Sequence, residues 1–201
     1  MGVNHPVFSR LYIWSQEYLE RAVGDVRIRQ NECAYGRTLI VGAGSGLDVA
    51  VLGAHVIELV LLEPDPLLGA YLRKEYPAIR LVTSTAEQME LETCSFDTVI
   101  TSLVLCSVSD VDQVLREICR ILKPGGQYLF MEHVLHDAPL AGMIQTSLTP
   151  VWKQMAGGCR LNRDIKTALN LSALTVLRYE LAKPSYFIPI VTGQAVRPLE
   201  S

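Results

Sequence analysis

The chain has 201 residues, 49% of them hydrophobic and 19% charged, with 18 basic against 21 acidic residues and a net charge of -3. That composition excludes a disordered chain. With no Lys/Arg-rich run it also argues against a nucleic-acid binder that grips phosphates. No stretch approaches the roughly 18 consecutive apolar residues of a membrane span. Met1–Pro6 lacks the basic and apolar regions of a secretory signal. The five cysteines are odd in number and form no CxxC, which reads as reduced thiols in a cytoplasmic protein.

Residues 7–36 have helical spacing through Phe8, Leu11, Tyr12, Tyr18 and Leu19, and Gly36 ends them. Thr38–Val41 is a short strand that runs into Gly42-Ala43-Gly44-Ser45-Gly46, and Asp48–Leu52 opens a helix. Leu59–Leu62 is a second strand, Leu67–Glu75 a helix and Arg80–Thr83 a third strand. Phe96–Thr101 reads as a strand buried on both faces. Ser109 or Asp110 can cap the next helix. Its apolar positions, Val111, Val114, Leu115, Ile118, Ile121 and Leu122, keep a 3.6-residue period, and Lys123-Pro124-Gly125-Gly126 stops it. Gln127–Met131 is strand five. A helix capped by Asn162 runs to about Leu171. Leu174–Tyr179 and Phe187–Val196 are two strands around a Lys183-Pro184-Ser185 turn.

Strand–helix alternation predicts an α/β fold with helices on both faces of a mostly parallel sheet. The last two strands, joined without a helix, must form an antiparallel hairpin. All 201 residues read as one domain.

The glycine loop follows a strand and precedes a helix, the context in which backbone can approach a ligand. Leu47 stands where a dinucleotide-binding loop wants its third glycine, which weakens an NAD reading. Glu63, 21 residues after Gly42, ends the second strand, where a carboxylate can accept hydrogen bonds from a ribose diol. His133 follows strand five. With Glu132 and His136 it invites a metal reading, but the loop lacks a further ligand cluster, so no metal is expected.

Val41–Gly46, Glu63-Pro64-Asp65, Ala86-Glu87, Ser95-Phe96-Asp97 and Leu122–Gly126, in that order, resemble the class I S-adenosylmethionine-dependent methyltransferases. The resemblance implies a Rossmann-like seven-stranded sheet with an antiparallel C-terminal hairpin. Leu103–Val108, Phe130–Val134 and Gly158–Arg163 are similar to the branch of methyltransferase-like proteins that methylate thiols at microsomal membranes. Those relatives carry an N-terminal hydrophobic anchor, which this sequence does not show, so membrane attachment is not carried over.

By position, the resemblance implies that Gly42, Ala43, Gly44 and Gly46 line the amino-acid end of S-adenosylmethionine. Glu63 then holds the ribose, with Pro64 shaping the turn, and Ala86, Glu87 and Gln88 border the adenine. Thr101, Ser102 and Leu103 pack near the adenosine and sulfonium. Residues 1–36 form a helical lid on which Tyr12, Trp14 and Tyr18 either cover the sulfonium or pack the helix onto the sheet. Residues 137–163 form an insert that caps the substrate pocket and carries Trp152, Cys159 and Arg160. Arg160 holds an anionic group or bridges to a surface acid. Cys106 and Cys159 line the substrate or fill space as small buried hydrophobes. His133 is the first choice for a base or substrate-orienting group. The family's acid two residues before the first loop glycine is Ile40 here, and Asp48 either compensates or sits in a first helical turn.

The expected activity is methyl transfer to a small-molecule acceptor, a thiol favoured, with an oxygen or nitrogen acceptor as runner-up. A non-catalytic S-adenosylmethionine-binding partner subunit and an NAD-dependent reductase are the rivals. The reductase is disfavoured by the missing Tyr-x-x-x-Lys pair. Oligomeric state is open.

Overall fold

The computed structural model describes residues 6–199, with the side chains of Val7, Glu17 and Leu19 left aside; residues 1–5 of the expected lid lie outside the described residues. Helices α1 (Pro6–Trp14) and α2 (Gln16–Asn31) precede strands β1 (Gly36–Val41) and β2 (Val56–Leu62). Then come α3 (Pro66–Glu75), β3 (Arg80–Val82), β4 (Phe96–Ser102), α4 (Val111–Ile121) and β5 (Leu122–His133). Helices α5 (Pro139–Met155) and α6 (Ile165–Leu171) lead to β6 (Thr175–Lys183) and β7 (Ile190–Val196).

The seven strands form one sheet in the order β3-β2-β1-β4-β5-β7-β6. All run parallel except β7, which is antiparallel to both β5 and β6. The strand order reverses between β1 and β4, so their carboxyl ends border the crevice where ligands bind in open α/β sheets. β1 is central and paired on both sides, and helices cover both of its faces. Leu39 and Val41 share one face with Val99, Tyr128 and Phe130, packed under Val114, Leu115 and Ile118 of α4 and Ile165 and Leu169 of α6. Ile40, Leu61, Ile100 and Leu129 share the other, under Leu72 of α3. Val23 and Val26 of α2 cover Met131 and Ile190 further along.

Local chemistry sets the helix boundaries. Asp65 caps α3 through Leu67 and Leu68 N–H, with Pro66 in the first turn. Asp110, of the two candidates, caps α4 by accepting from Gln113 N–H at 2.9 Å.

Three local expectations are corrected. The N-terminal helical segment breaks at Ser15 into two helices. The helix expected from Asp48 is a single 3-10 turn at Val49–Val51. β-Branched Val49 and Val51 propagate a helix poorly, and Gly53 lies so close to Glu32 that a Cβ there would sit 2.9 Å from its carbonyl oxygen. Asp164 caps α6, rather than Asn162, accepting from Thr167 N–H at 3.0 Å. The insert contains a 17-residue helix, α5, that an internal Pro150 hides from periodicity.

Candidate active site

The glycine loop leaves the carboxyl end of β1 with Gly42, Gly44 and Gly46 all in the left-handed region, at φ of 64°, 58° and 86°. A Cβ at Gly42 would lie 2.7 Å from Val104 Cγ2, and one at Gly44 would lie 3.0 Å from Tyr12 Cε1. Only glycine fits both the backbone and the space. Ala43 between them is buried and packs with Ile40 and Leu72.

Glu63 lies buried under this loop. Its Oε2 accepts from Gly44 N–H at 2.8 Å and its Oε1 from Asp65 N–H at 2.9 Å. Burial pushes its carboxyl up from 4.5 to about 7, against these two bonds. Each oxygen keeps a second lone pair for a diol. The glycine cradle and this buried acceptor therefore suit the amino-acid and ribose parts of S-adenosylmethionine.

Tyr12 of α1 rests on Gly44, and burial raises its phenol to about 12. Ser9 of the same helix donates to Asp65 Oδ2 at 3.0 Å, and a Cβ on Gly157 would lie 2.5 Å from the Phe8 ring. Helix α1 thus spans the crevice from α3 to the loop after α5. Trp14 is 84% exposed and Tyr18 73%. Trp14, expected over the sulfonium and its substrate or packed onto the sheet, turns away because two helical residues rotate the direction by about 200° from Tyr12.

Ile40 is fully buried against α3. Asp48 makes no capping bond. Its carboxylate accepts from Arg27 Nη1 at 2.8 Å, Asn31 Nδ2 at 2.8 Å and Ser102 Oγ at 2.7 Å. It therefore ties α2 to the end of β4 beside the glycine loop. The first-turn reading is corrected accordingly. Arg27 and Asn31, four residues apart on α2, present both donors from one helix face.

At the next edge of the crevice, Ala86 is buried in the core. Glu87 Oε1 accepts from Ser109 N–H at 2.7 Å, and Gln88 is exposed. Glu117 and Arg120 of α4 hold the following turn through Met89 N–H, Met89 C=O and Leu91 C=O. The Thr101 side chain does not face the crevice. It bonds Tyr128 Oη at 2.8 Å within the sheet's core, because Ser102 and Thr101 point to opposite faces. Leu103 follows β4 with φ of 61°.

The loop after β4, the end of β5 and the loop after α5 bring Cys106, His133 and Cys159 together, with their ligand atoms within 4.8 Å of one another. His133 Nε2 lies 2.7 Å from Cys159 Sγ, and Trp152 Nε1 donates to the same sulfur at 3.3 Å. The neighbouring Cys106 thiol is the largest influence lowering Cys159 below the ordinary thiol range, aided by His133 and Trp152. Cys159 and burial in turn raise Cys106, whose thiol donates to Leu103 C=O at 3.4 Å. Arg160 N–H donates to Cys106 C=O at 2.9 Å, which pins the insert to the loop after β4.

The metal set weighed from sequence is not assembled. Glu132 turns to the other face and accepts from Val104 N–H at 3.1 Å, and His136 Nδ1 accepts from Ala138 N–H at 2.9 Å. Pairing His133 with two cysteines distant in sequence was beyond the reach of local spacing.

A methyltransferase-domain family model matches residues 39–130. The human thiol S-methyltransferase TMT1A is 32% identical over 152 residues, covering 71% of this chain and 61% of that protein. The human thiol S-methyltransferase TMT1B is 32% identical over 168 residues, covering 78% and 68%. The solved YcgJ protein of Bacillus subtilis superposes with a TM-score of 0.71 at 16% identity, over 90% of this chain and all of that one. With its switch-point crevice and glycine loop, this chain belongs to the class I S-adenosylmethionine-dependent methyltransferases. Within that class it is similar to the thiol S-methyltransferases and spans about three fifths of the length of TMT1A. Among the described residues no helix is long and apolar enough to cross a membrane.

Proposed function

We propose that this chain transfers a methyl group from S-adenosylmethionine to a small thiol. The observation that carries the proposal is the Cys106–His133–Cys159 cluster. It lies at the carboxyl end of β5, one strand from the switch point, and is open to solvent on the Cys159 side. The thiol S-methyltransferase relatives support the same acceptor class.

When bound, S-adenosylmethionine supplies a methyl group on a sulfonium for in-line displacement. Gly42, Ala43, Gly44 and Gly46 shape the cradle for its amino-acid end. Glu63 accepts from the ribose, with Pro64 holding the turn that presents it. Ala86, Glu87 and Gln88 border the adenine, and Leu103 backs the adenosine. Thr101 contributes only backbone, since its hydroxyl is taken by Tyr128. Tyr12 must slide off Gly44 for the amino-acid end to reach the loop, so α1 acts as the lid.

Positioning does most of the work in such a displacement. A thiol with pKa near about 8.5 needs little help to ionise, whereas a phenol near about 10 needs more. His133 faces the acceptor sulfur, with Trp152, Cys106, Cys159 and Arg160 around it.

The test offers the purified protein methyl-labelled S-adenosylmethionine with a small aryl thiol and the matched phenol. Label on the thiol alone is expected. Label on the phenol refutes the thiol preference. Tight S-adenosylhomocysteine binding with label on neither acceptor refutes the aryl-thiol acceptor and favours a narrow metabolite substrate or a non-catalytic binding subunit.

A further inference from the structure

Three soft or borderline ligand atoms from three separate elements converge at the carboxyl end of β5, and the acceptor thiol must lose a proton there. We propose that Cys106, His133 and Cys159 form a three-ligand site for a divalent ion of the zinc class, whose fourth position takes the acceptor sulfur as thiolate. The proposal rests on the thiol reading above.

The geometry is close to what zinc demands. Zinc holds thiolate sulfur at about 2.3 Å and imidazole nitrogen at about 2.0–2.1 Å in a tetrahedron. Its ligand atoms then stand roughly 3.5–3.8 Å apart. The three atoms here already lie within 4.8 Å of one another. The His133–Cys159 separation of 2.7 Å must widen, by less than about 1 Å. Cys159 can supply that movement. It follows Gly157 and Gly158, both in the left-handed region, and is only half-buried.

The chemistry of the donors agrees. A neutral ring presenting Nε2 to the two sulfurs is the form that ligates metal, and its proton then sits on the buried Nδ1. Two thiolates, a neutral imidazole and a dication sum to zero charge, which limits the cost of burial.

Three protein ligands with an open fourth position is the arrangement of catalytic zinc, whereas structural sites are closed by four. Cys106 and His133 are buried and Cys159 is not, so the open position lies on the Cys159 side of the cluster, toward solvent. An acceptor thiol bound there gives its proton to solvent water, since a thiol coordinated to such an ion is deprotonated outright. Its sulfur then forms a bond to the methyl carbon while the carbon–sulfonium bond breaks. That electron pair stays on the sulfur of S-adenosylhomocysteine. The thioether product is uncharged, a weaker ligand, and departs.

The experiment titrates the metal-free full chain with cobalt(II) and follows thiolate-to-cobalt charge transfer and the visible bands of four-coordinate cobalt. Zinc per chain is measured in parallel after reconstitution. One ion per chain is expected. Cys106→Ser, Cys159→Ser and His133→Asn should each weaken binding by more than the roughly 10–100-fold that outer-shell changes cost. Cys33→Ser, at an exposed thiol outside the cluster, should change nothing. Far-ultraviolet circular dichroism separates lost binding from lost fold. Zinc protection of two thiols in the unmutated chain against a thiol reagent gives a second readout. A small aryl thiol should shift the cobalt bands and the matched phenol should not. A folded chain that takes up no ion, or binds it equally well without either cysteine, overturns the site. Full-rate thiol methylation by the chelator-treated chain also overturns it, while leaving the methyl-transfer reading intact. Cobalt bands that no thiol moves overturn the proposed role of the ion in holding the acceptor.

Discussion

Replacing Glu63 by Gln should change how stability depends on pH. Among the described residues this buried carboxyl has two backbone N–H groups as partners, and burial raises it from 4.5 to about 7. The rise corresponds to roughly 3 kcal/mol of preference for the protonated form in the folded state. Between these two values the folded chain holds a proton that the unfolded chain releases. This contribution is therefore fully present below about 4.5 and lost as pH climbs through about 7. Glutamine removes the titration. It also sets an amide N–H₂ against either Gly44 or Asp65 N–H, at a cost of about 1–3 kcal/mol for the unsatisfied donor. The variant should be weaker than the parent near pH 5 and equal or stronger near pH 8. Urea denaturation of both proteins at fixed ionic strength measures this. Stability curves that stay parallel from pH 5 to 8 would refute the placement of Glu63 as a buried, singly titrating carboxyl. A ribose diol donating to Glu63 favours the ionised form, so S-adenosylhomocysteine binding near pH 6.5 should release a proton. Calorimetry in buffers of different ionisation enthalpy detects it, and binding without proton release removes Glu63 from the ribose site.

Two further predictions concern the frame of the crevice. Arg27→Met leaves Asp48 buried without its cation and should cost about 3–5 kcal/mol by chemical denaturation, with Asp48→Asn in the same chain restoring much of it. Gly42→Ala forces a left-handed alanine, at about 1–2 kcal/mol, against Val104 Cγ2 at 2.7 Å. S-adenosylhomocysteine affinity should fall in a chain that still folds; unchanged affinity by calorimetry would show that the loop does not cradle the ligand.

The sheet was legible because a central strand advertises itself. Leu39, Ile40 and Val41 are apolar in succession since both faces of β1 are covered, and the glycines after them end the strand at the switch point. Helix α4 was equally plain, because its buried positions keep one period. Helix α5 was not. Pro150 interrupts it, and Leu140, Met143, Val151 and Met155 are exposed, so its apolar residues do not mark a core face. Trp14 shows the limit of residue type as a guide. An aromatic suits a sulfonium, but helical rotation turned Tyr12 inward and Trp14 out.

What the sequence determined by itself was the order of elements, the glycine loop and the carboxylate at the end of the second strand. All of these depend on neighbours along the chain and on backbone chemistry. Tertiary structure alone decided the partners of buried polar groups. Asp48 joins Arg27 and Ser102, Thr101 turns to Tyr128, and Cys106 and Cys159 meet at His133. Such groups must find a partner wherever the fold brings one within reach. Sequence spacing carries no record of which strand end and which loop will meet.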